Sequence, residues 1–144
     1  MPLISVTRLR VRSFVYLPGF LWDTLQSVRQ VQRSPGFLGG RLLVNAGRVF
    51  WTMTTWQDES AMNAYRTGGA HRRAMPKLLN WCDEAAEVHW TQESPEIPEW
   101  QQAQQHMCEK GRLSKVNHPS ALQASRQIPA PQPGRIEQIL KPAR

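Results

Sequence analysis

Residues 37–56, FLGGRLLVNAGRVFWTMTTW, decide the fold. Two apolar runs, 37–46 and 48–56, are split by Asn45-Ala46-Gly47. Asparagine and glycine tolerate positive φ, so the stretch predicts a tight β-hairpin. In the second run Val49, Trp51, Met53 and Thr55 fall on one face, and Phe50, Thr52, Thr54 and Trp56 on the other. Large side chains on both faces predict a strand covered from both sides.

Toward the N-terminus, residues 3–15 alternate, with Leu9, Val11 and Val15 opposite Arg8, Arg10 and Arg12. That pattern predicts a strand with one solvated basic face, ended by Pro18-Gly19. From Phe20 the period turns helical: Leu21, Leu25, Val28 and Gln32 recur, flanked by Trp22 and Val31, until Ser34-Pro35-Gly36. Toward the C-terminus, Asp58 is placed to cap a helix over 59–66 that turns Ala61, Met62 and Tyr65 inward. Gly68-Gly69 breaks it. A further helix is expected from Ala70 to Glu84, with His71, Met75, Leu78 and Cys82 as its inward stripe. Pro76 should kink that helix or open a new first turn.

Residues 85–92 alternate as a fourth strand. Residues 98–109 read as a helix presenting Trp100, Ala103 and Met107, stopped by Gly111, and Leu113–Val116 as a short edge strand. Residues 126–144 hold Pro129, Pro131, Pro133 and Pro142 among few apolar side chains, so they read as a mobile basic tail dispensable for folding. The order β-α-β-β-α-β implies an α+β, ferredoxin-like domain over 1–125, with two helices on one face of an antiparallel sheet. A lone chain would expose Trp51 or Phe50 on the sheet's second face, so a homodimeric partner is expected to cover it.

The 144 residues are 40% hydrophobic and 20% charged, a globular composition for one domain. Net charge is +7, unevenly spread: residues 1–48 hold seven arginines against one aspartate, and residues 49–100 four cations against eight carboxylates. Arg8, Arg10 and Arg12 are the best local cluster, but no recognition-helix, zinc-finger or RNA-binding pattern accompanies them, which argues against sequence-specific nucleic-acid binding. Peripheral membrane association through those arginines and the tail is a further reading. Apolar stretches stay under ten residues, so no transmembrane helix is expected. The start MPLISVTRLRVRSF lacks the apolar core of a signal peptide. Cys82 and Cys108 have no redox or metal spacing, so free thiols and a cytoplasmic location are expected. HExxH, GxGxxG, Walker A and GxSxG motifs do not occur.

Residues 54–90, TTWQDESAMNAYRTGGAHRRAMPKLLNWCDEAAEVHW, carry a family resemblance, joined by PGFLGGRLL at 35–43 and GRLSKVNHPS at 111–120. The chain resembles the dimeric α/β-barrel proteins related to the antibiotic-biosynthesis monooxygenases, and within them the bacterial group similar to spheroidene monooxygenase. The resemblance implies two sheets packed face to face in a homodimer, each protomer keeping a pocket between its sheet and helices. It also implies a monooxygenase acting on a small hydrophobic aromatic or polyene substrate, either without a cofactor or with haem. A non-enzymatic homodimer that binds ligands or acts as a scaffold is the alternative.

His71 leads the candidate site residues. Its position resembles that of the axial histidine in haem-handling relatives. At a helix start the dipole disfavours protonation, which suits a ligand or a general base; the other reading is a half-buried histidine capping the turn after Gly68-Gly69. Trp56, Tyr65 and Trp81 can line a pocket for a planar substrate or pack a core. Asn63 resembles in type a pocket asparagine of some relatives. Arg41 can bind a carboxylate or propionate, or sit on the surface. His89 is placed toward the pocket or solvent, while His106 and His118 read as peripheral.

Overall fold

The computed structural model describes residues 1–94, 96–132 and 136–143; Pro133 of the expected tail lies outside the described residues. The elements run β1 (Leu3–Val11), α1 (Leu17–Gln32), β2 (Phe37–Asn45), β3 (Val49–Trp56), α2 (Glu59–Arg66), α3 (Gly69–Trp81) and β4 (Cys82–Thr91). Then follow α4 (Trp100–Lys110), β5 (Arg112–Leu113), α5 (Ala121–Ala124) and β6 (Ile136–Leu140). The sheet is antiparallel with order β5-β4-β1-β3-β2-β6. Its inner four strands are the ferredoxin-like unit.

The hairpin forms as expected, but its left-handed residues are Gly47 (φ 80°) and Arg48 (φ 65°), while Asn45 stays in β2. Arg48 is held there by β1: its Nε donates to the Val11 carbonyl at 2.8 Å, and its own carbonyl accepts from Val11 N–H. β1 ends at Val11 because Ser13 Oγ accepts the Val15 N–H and opens a 3-10 turn. Pro18 starts α1 instead of ending the strand, since its missing N–H is harmless in a first turn. α1 buries Phe20 and Val31 and leaves Leu21 and Leu25 exposed, a rotation of the expected stripe. Phe20 fixes the rotation by packing on Phe50, ring centroids 4.7 Å apart.

α3 stops at Trp81, short of the expected Glu84. Asp83 and Glu84 are drawn into β4 by β1: Arg8 donates to Glu84 at 2.7 Å and Arg10 pairs with Asp83. The basic face of β1 is therefore paired with carboxylates and not simply left to solvent. Arg8 is buried, and Arg12 is tied to the Asn80 carbonyl at 2.6 Å.

The sheet's two faces are covered differently from expectation. Phe50 lies on the face packed by α1 and α3, among Val11, Phe20 and Cys82. Trp51 lies on the other face and is fully buried within the single chain, because α4 sits on it. Trp100 meets Trp51 edge-on at 6.2 Å, and Ala103 and Met107 fill beside Met53 and Val88. The cover assigned to a partner is supplied in cis. The C-terminal segment also departs from a mobile tail: Ile136–Leu140 pair with β2, and Leu140, 1% exposed, enters the core beside Phe37 and Trp56.

Candidate functional site

A cavity of about 530 Å³ lies between the sheet and the helices α1 and α3. All six strands reach its floor, through Arg112, Glu87, Thr7, Thr52, Leu42 and Leu140 in order across the sheet. The register sets Thr7 opposite Thr52 and Ser5 opposite Thr54, so four small hydroxyl side chains gather at mid-floor. Thr54 Oγ1 accepts from Trp56 Nε1 at 2.8 Å. Thr24, Ser27 and Val28 of α1, with Ala74, Met75 and Leu78 of α3, form the roof.

His71 enters this cavity from the first turn of α3. The turn before it is set by Gly69, at φ 54°, and by Gln30 of α1. Gln30 Oε1 accepts the His71 N–H at 2.7 Å, while Gln30 Nε2 donates to the Tyr65 and Gly68 carbonyls at 3.0 and 2.9 Å. His71 Nδ1 lies 3.2 Å from the Arg66 carbonyl. A proton on Nδ1 makes that contact a hydrogen bond and leaves Nε2 as an acceptor. Burial lowers the His71 pKa below its usual 6.5; the Arg66 carbonyl bond opposes this, the Arg66 charge adds to it, and Glu87 opposes it. Burial thus favours the neutral ring over the charged one.

Tyr65 stacks obliquely on His71 at 4.7 Å and on Trp56 at 5.3 Å, making a row of three rings. Its hydroxyl is 3.5 Å from the Ser27 carbonyl, and burial pushes its pKa up, so it remains a protonated donor. At the β4–β5 end, Glu87 accepts from Arg66 at 2.9 Å and from Arg112 at 2.5 Å. Among the described residues no three His, Cys, Asp or Glu side chains gather as a metal site.

Of the residues singled out in the sequence, His71, Trp56 and Tyr65 meet at the cavity. Asn63, Arg41 and Trp81 do not. Asn63 is exposed on α2, facing away from buried Met62. Arg41 projects from the opposite sheet face toward Glu137, at 3.7 Å. Trp81 packs over Gly19 with the Lys77 ammonium 5.6 Å from its ring. His89 and His118 are exposed, and His106 stacks on Trp90 at 3.9 Å. The sequence reading missed the floor hydroxyls and the Arg66–Glu87–Arg112 cluster. The first had a signal, since Ser5 and Thr7 alternate with buried Ile4 and Val6. The second joins three elements and had none.

The family model for antibiotic biosynthesis monooxygenase matches residues 18–77 of the chain, which span α1 through most of α3. A search of curated proteins finds no match. Among solved structures, SnoaB, a cofactor-independent oxygenase from Streptomyces nogalater, is 17% identical, with TM-score 0.54 over 68% of this chain and 98% of its own. A conserved protein from Methanosarcina mazei Go1 is 11% identical, with TM-score 0.57 over 65% and 94%. A Mycobacterium tuberculosis protein is 10% identical, with TM-score 0.58 over 65% and 97%. The chain is thus an α+β, ferredoxin-like protein with the fold of the antibiotic biosynthesis monooxygenases. About a third of it has no counterpart in those three structures.

Proposed function

We propose that the protein is a monooxygenase-like enzyme that takes a small hydrophobic aromatic or polyene substrate into the cavity beneath α1. The observation that carries this reading is the placement of His71 in an aromatic-walled cavity with its Nδ1 3.2 Å from the Arg66 carbonyl, so that a proton on Nδ1 leaves Nε2 as the acceptor. A phenol-like substrate resting on the hydroxyl floor loses its proton to Nε2. The electron-rich anion passes one electron to O₂, the two radicals recombine as a peroxide, and loss of water leaves the oxidised carbonyl product. One oxygen atom enters the product and the other leaves as water. The protein's part is deprotonation, orientation by Tyr65 and Trp56, and exclusion of water.

The donor set also fits haem, since a ligating histidine ordinarily gives its other ring N–H to a backbone carbonyl. In that case His71 would hold the iron, and Arg66, Arg112 and Lys115 would pair with the propionates. Haem, when bound, would supply an iron centre that binds O₂. The resemblance to the spheroidene monooxygenase group supports the polyene side of the substrate class.

A homodimer of the face-to-face kind needs the sheet surface that α4 occupies, so a dimer with α4 in place must use another surface. The unpaired Cys82 and Cys108 suit a reducing, cytoplasmic location. No described helix is long and apolar enough to cross a membrane.

The test is ¹⁸O₂ turnover with acidic phenols and conjugated polyenes, using protein purified with and without haem supplementation. One labelled oxygen per product, lost in His71→Ala, supports the enzyme. Retention of ligand without oxygen uptake in any form supports the alternative, a ligand-binding protein.

A further inference from the structure

The cavity has two unlike ends. Its floor crosses from β5 to β6, five strand spacings, or roughly 24 Å at about 4.8 Å each. The β2–β6 end is lined by the apolar Leu42, Leu140, Val28 and Val31. The β4–β5 end carries three cations, Arg66, Arg112 and Lys115, beside Glu87, while the other lining carboxylate, Asp23 of α1, is paired with Lys77 at 3.1 Å. Arg66 and Arg112 each reach Glu87 through a single nitrogen, so most of the five N–H donors of each guanidinium stay available. Lys115 has no carboxylate within 4.0 Å among the described residues.

Arg112 and Lys115 belong to the segment after β4. It is pinned beside the cavity by Gln123, which bonds both backbone groups of Ala85 at 3.1 Å, and by Ser120, which donates to Glu84 at 2.9 Å.

We propose that this segment makes the protein selective for an elongated amphipathic anion: an aromatic or polyene body bearing a terminal carboxylate. The carboxylate sits at the β4–β5 end between Arg112 and Lys115, and the apolar body runs under α1 toward Leu42. The proposal rests on the reading of the cavity as the substrate site.

The experiment measures binding of the fluorescent tetraene parinaric acid and of its methyl ester to the full chain. It is repeated in Arg112→Gln/Lys115→Gln and in two cavity-filling variants, Ser27→Phe and the rim substitution Met75→Trp. The acid is expected to bind about tenfold or more tightly than the ester, the scale of a charge-assisted hydrogen bond, and the double variant to erase that preference. Equal affinities for acid and ester, both weakened by cavity filling, would overturn the charged-end selectivity and leave the cavity as the site. A preference that survives in the double variant would overturn it too. Binding that no cavity-filling variant weakens would overturn the cavity reading itself.

Discussion

Gln30 Oε1 accepts the backbone N–H of His71 at 2.7 Å, so a residue on α1 sets where the histidine of α3 begins. The same amide holds two carbonyls of the α2–α3 turn, and the Gly69 Cα faces it so closely that an added Cβ would stand 3.2 Å from its carbon. Gln30→Ala is expected to cost about 1–3 kcal/mol, since three bonds are lost and partly buried groups go unpaired. Gly69→Ala should cost more than a usual surface change, because φ 54° disfavours any side chain there. Urea denaturation checks both. A Gln30→Ala protein as stable as wild type would show that the turn holds without the latch.

The C-terminal strand is expected to matter for stability. Leu140 is 1% exposed and packs on Phe37 and Trp56, so Leu140→Ala should cost about 2–4 kcal/mol. Truncation after Ser125 should lower Tm by more than about 5 °C. Thermal unfolding at matched concentration reads both, and an unchanged Tm would return the segment to the dispensable tail that its prolines suggest.

Trp51 and Trp100 test the cover of the outer sheet face. Trp100→Ala should cost less than the roughly 3–5 kcal/mol of a fully buried tryptophan, because Trp100 is only half-buried, and should expose apolar surface at Trp51, read as increased binding of a hydrophobic dye. Light scattering of the wild type should give no dimer that loses α4 packing on association. A dimer in which proteolysis frees α4 would mean that a second sheet takes its place.

Much of the fold was legible because it rests on local periodicity and turn chemistry. The alternation of 49–56, the Asp58 cap and the Trp100–Ala103–Met107 stripe each appear where those rules put them. The misses are contacts between distant segments. Arg8 and Arg10 look like a solvated face until Glu84 and Asp83, more than seventy positions away, are set beside them. The end of α3 and the rotation of α1 follow from the same kind of pairing. At the site, His71, Tyr65 and Trp56 were visible as aromatic groups around a glycine break. Asn63 and Arg41 had suitable chemistry, but the helix phase of the one and the strand face of the other direct them away from the cavity.

The two cysteines should react differently. Burial, with Asp83 beside it, pushes the Cys82 thiol up to about 12, whereas Cys108 is exposed on α4. Native-state alkylation followed by intact mass measurement should add one label, at Cys108, and a second only on unfolding. Two labels at equal rates in the folded protein would contradict the buried position of Cys82.

Stability should fall on acidification through His71. Its folded pKa lies below the ordinary 6.5, so below about that pH the unfolded chain binds a proton that the folded chain resists. The contribution is fully present above pH about 6.5 and is lost as pH falls toward the folded value. Asp83 acts in the opposite sense at lower pH, because burial raises its pKa and the folded state then holds the extra proton. Urea titrations at pH 7.5 and 5.5 should show a loss of stability in the wild type that His71→Gln reduces. An equal loss in both would assign the acid sensitivity elsewhere.

The most direct test of the central claim, that His71 is a neutral base in the cavity, is the pH dependence of kcat/KM for oxygen uptake with a bound phenolic substrate. The account predicts an acid limb with an apparent pKa below about 6.5 and a loss of roughly 10²-fold or more in His71→Ala, with that limb abolished. A His71→Ala protein that turns over at the wild-type rate and keeps the same acid limb would contradict it.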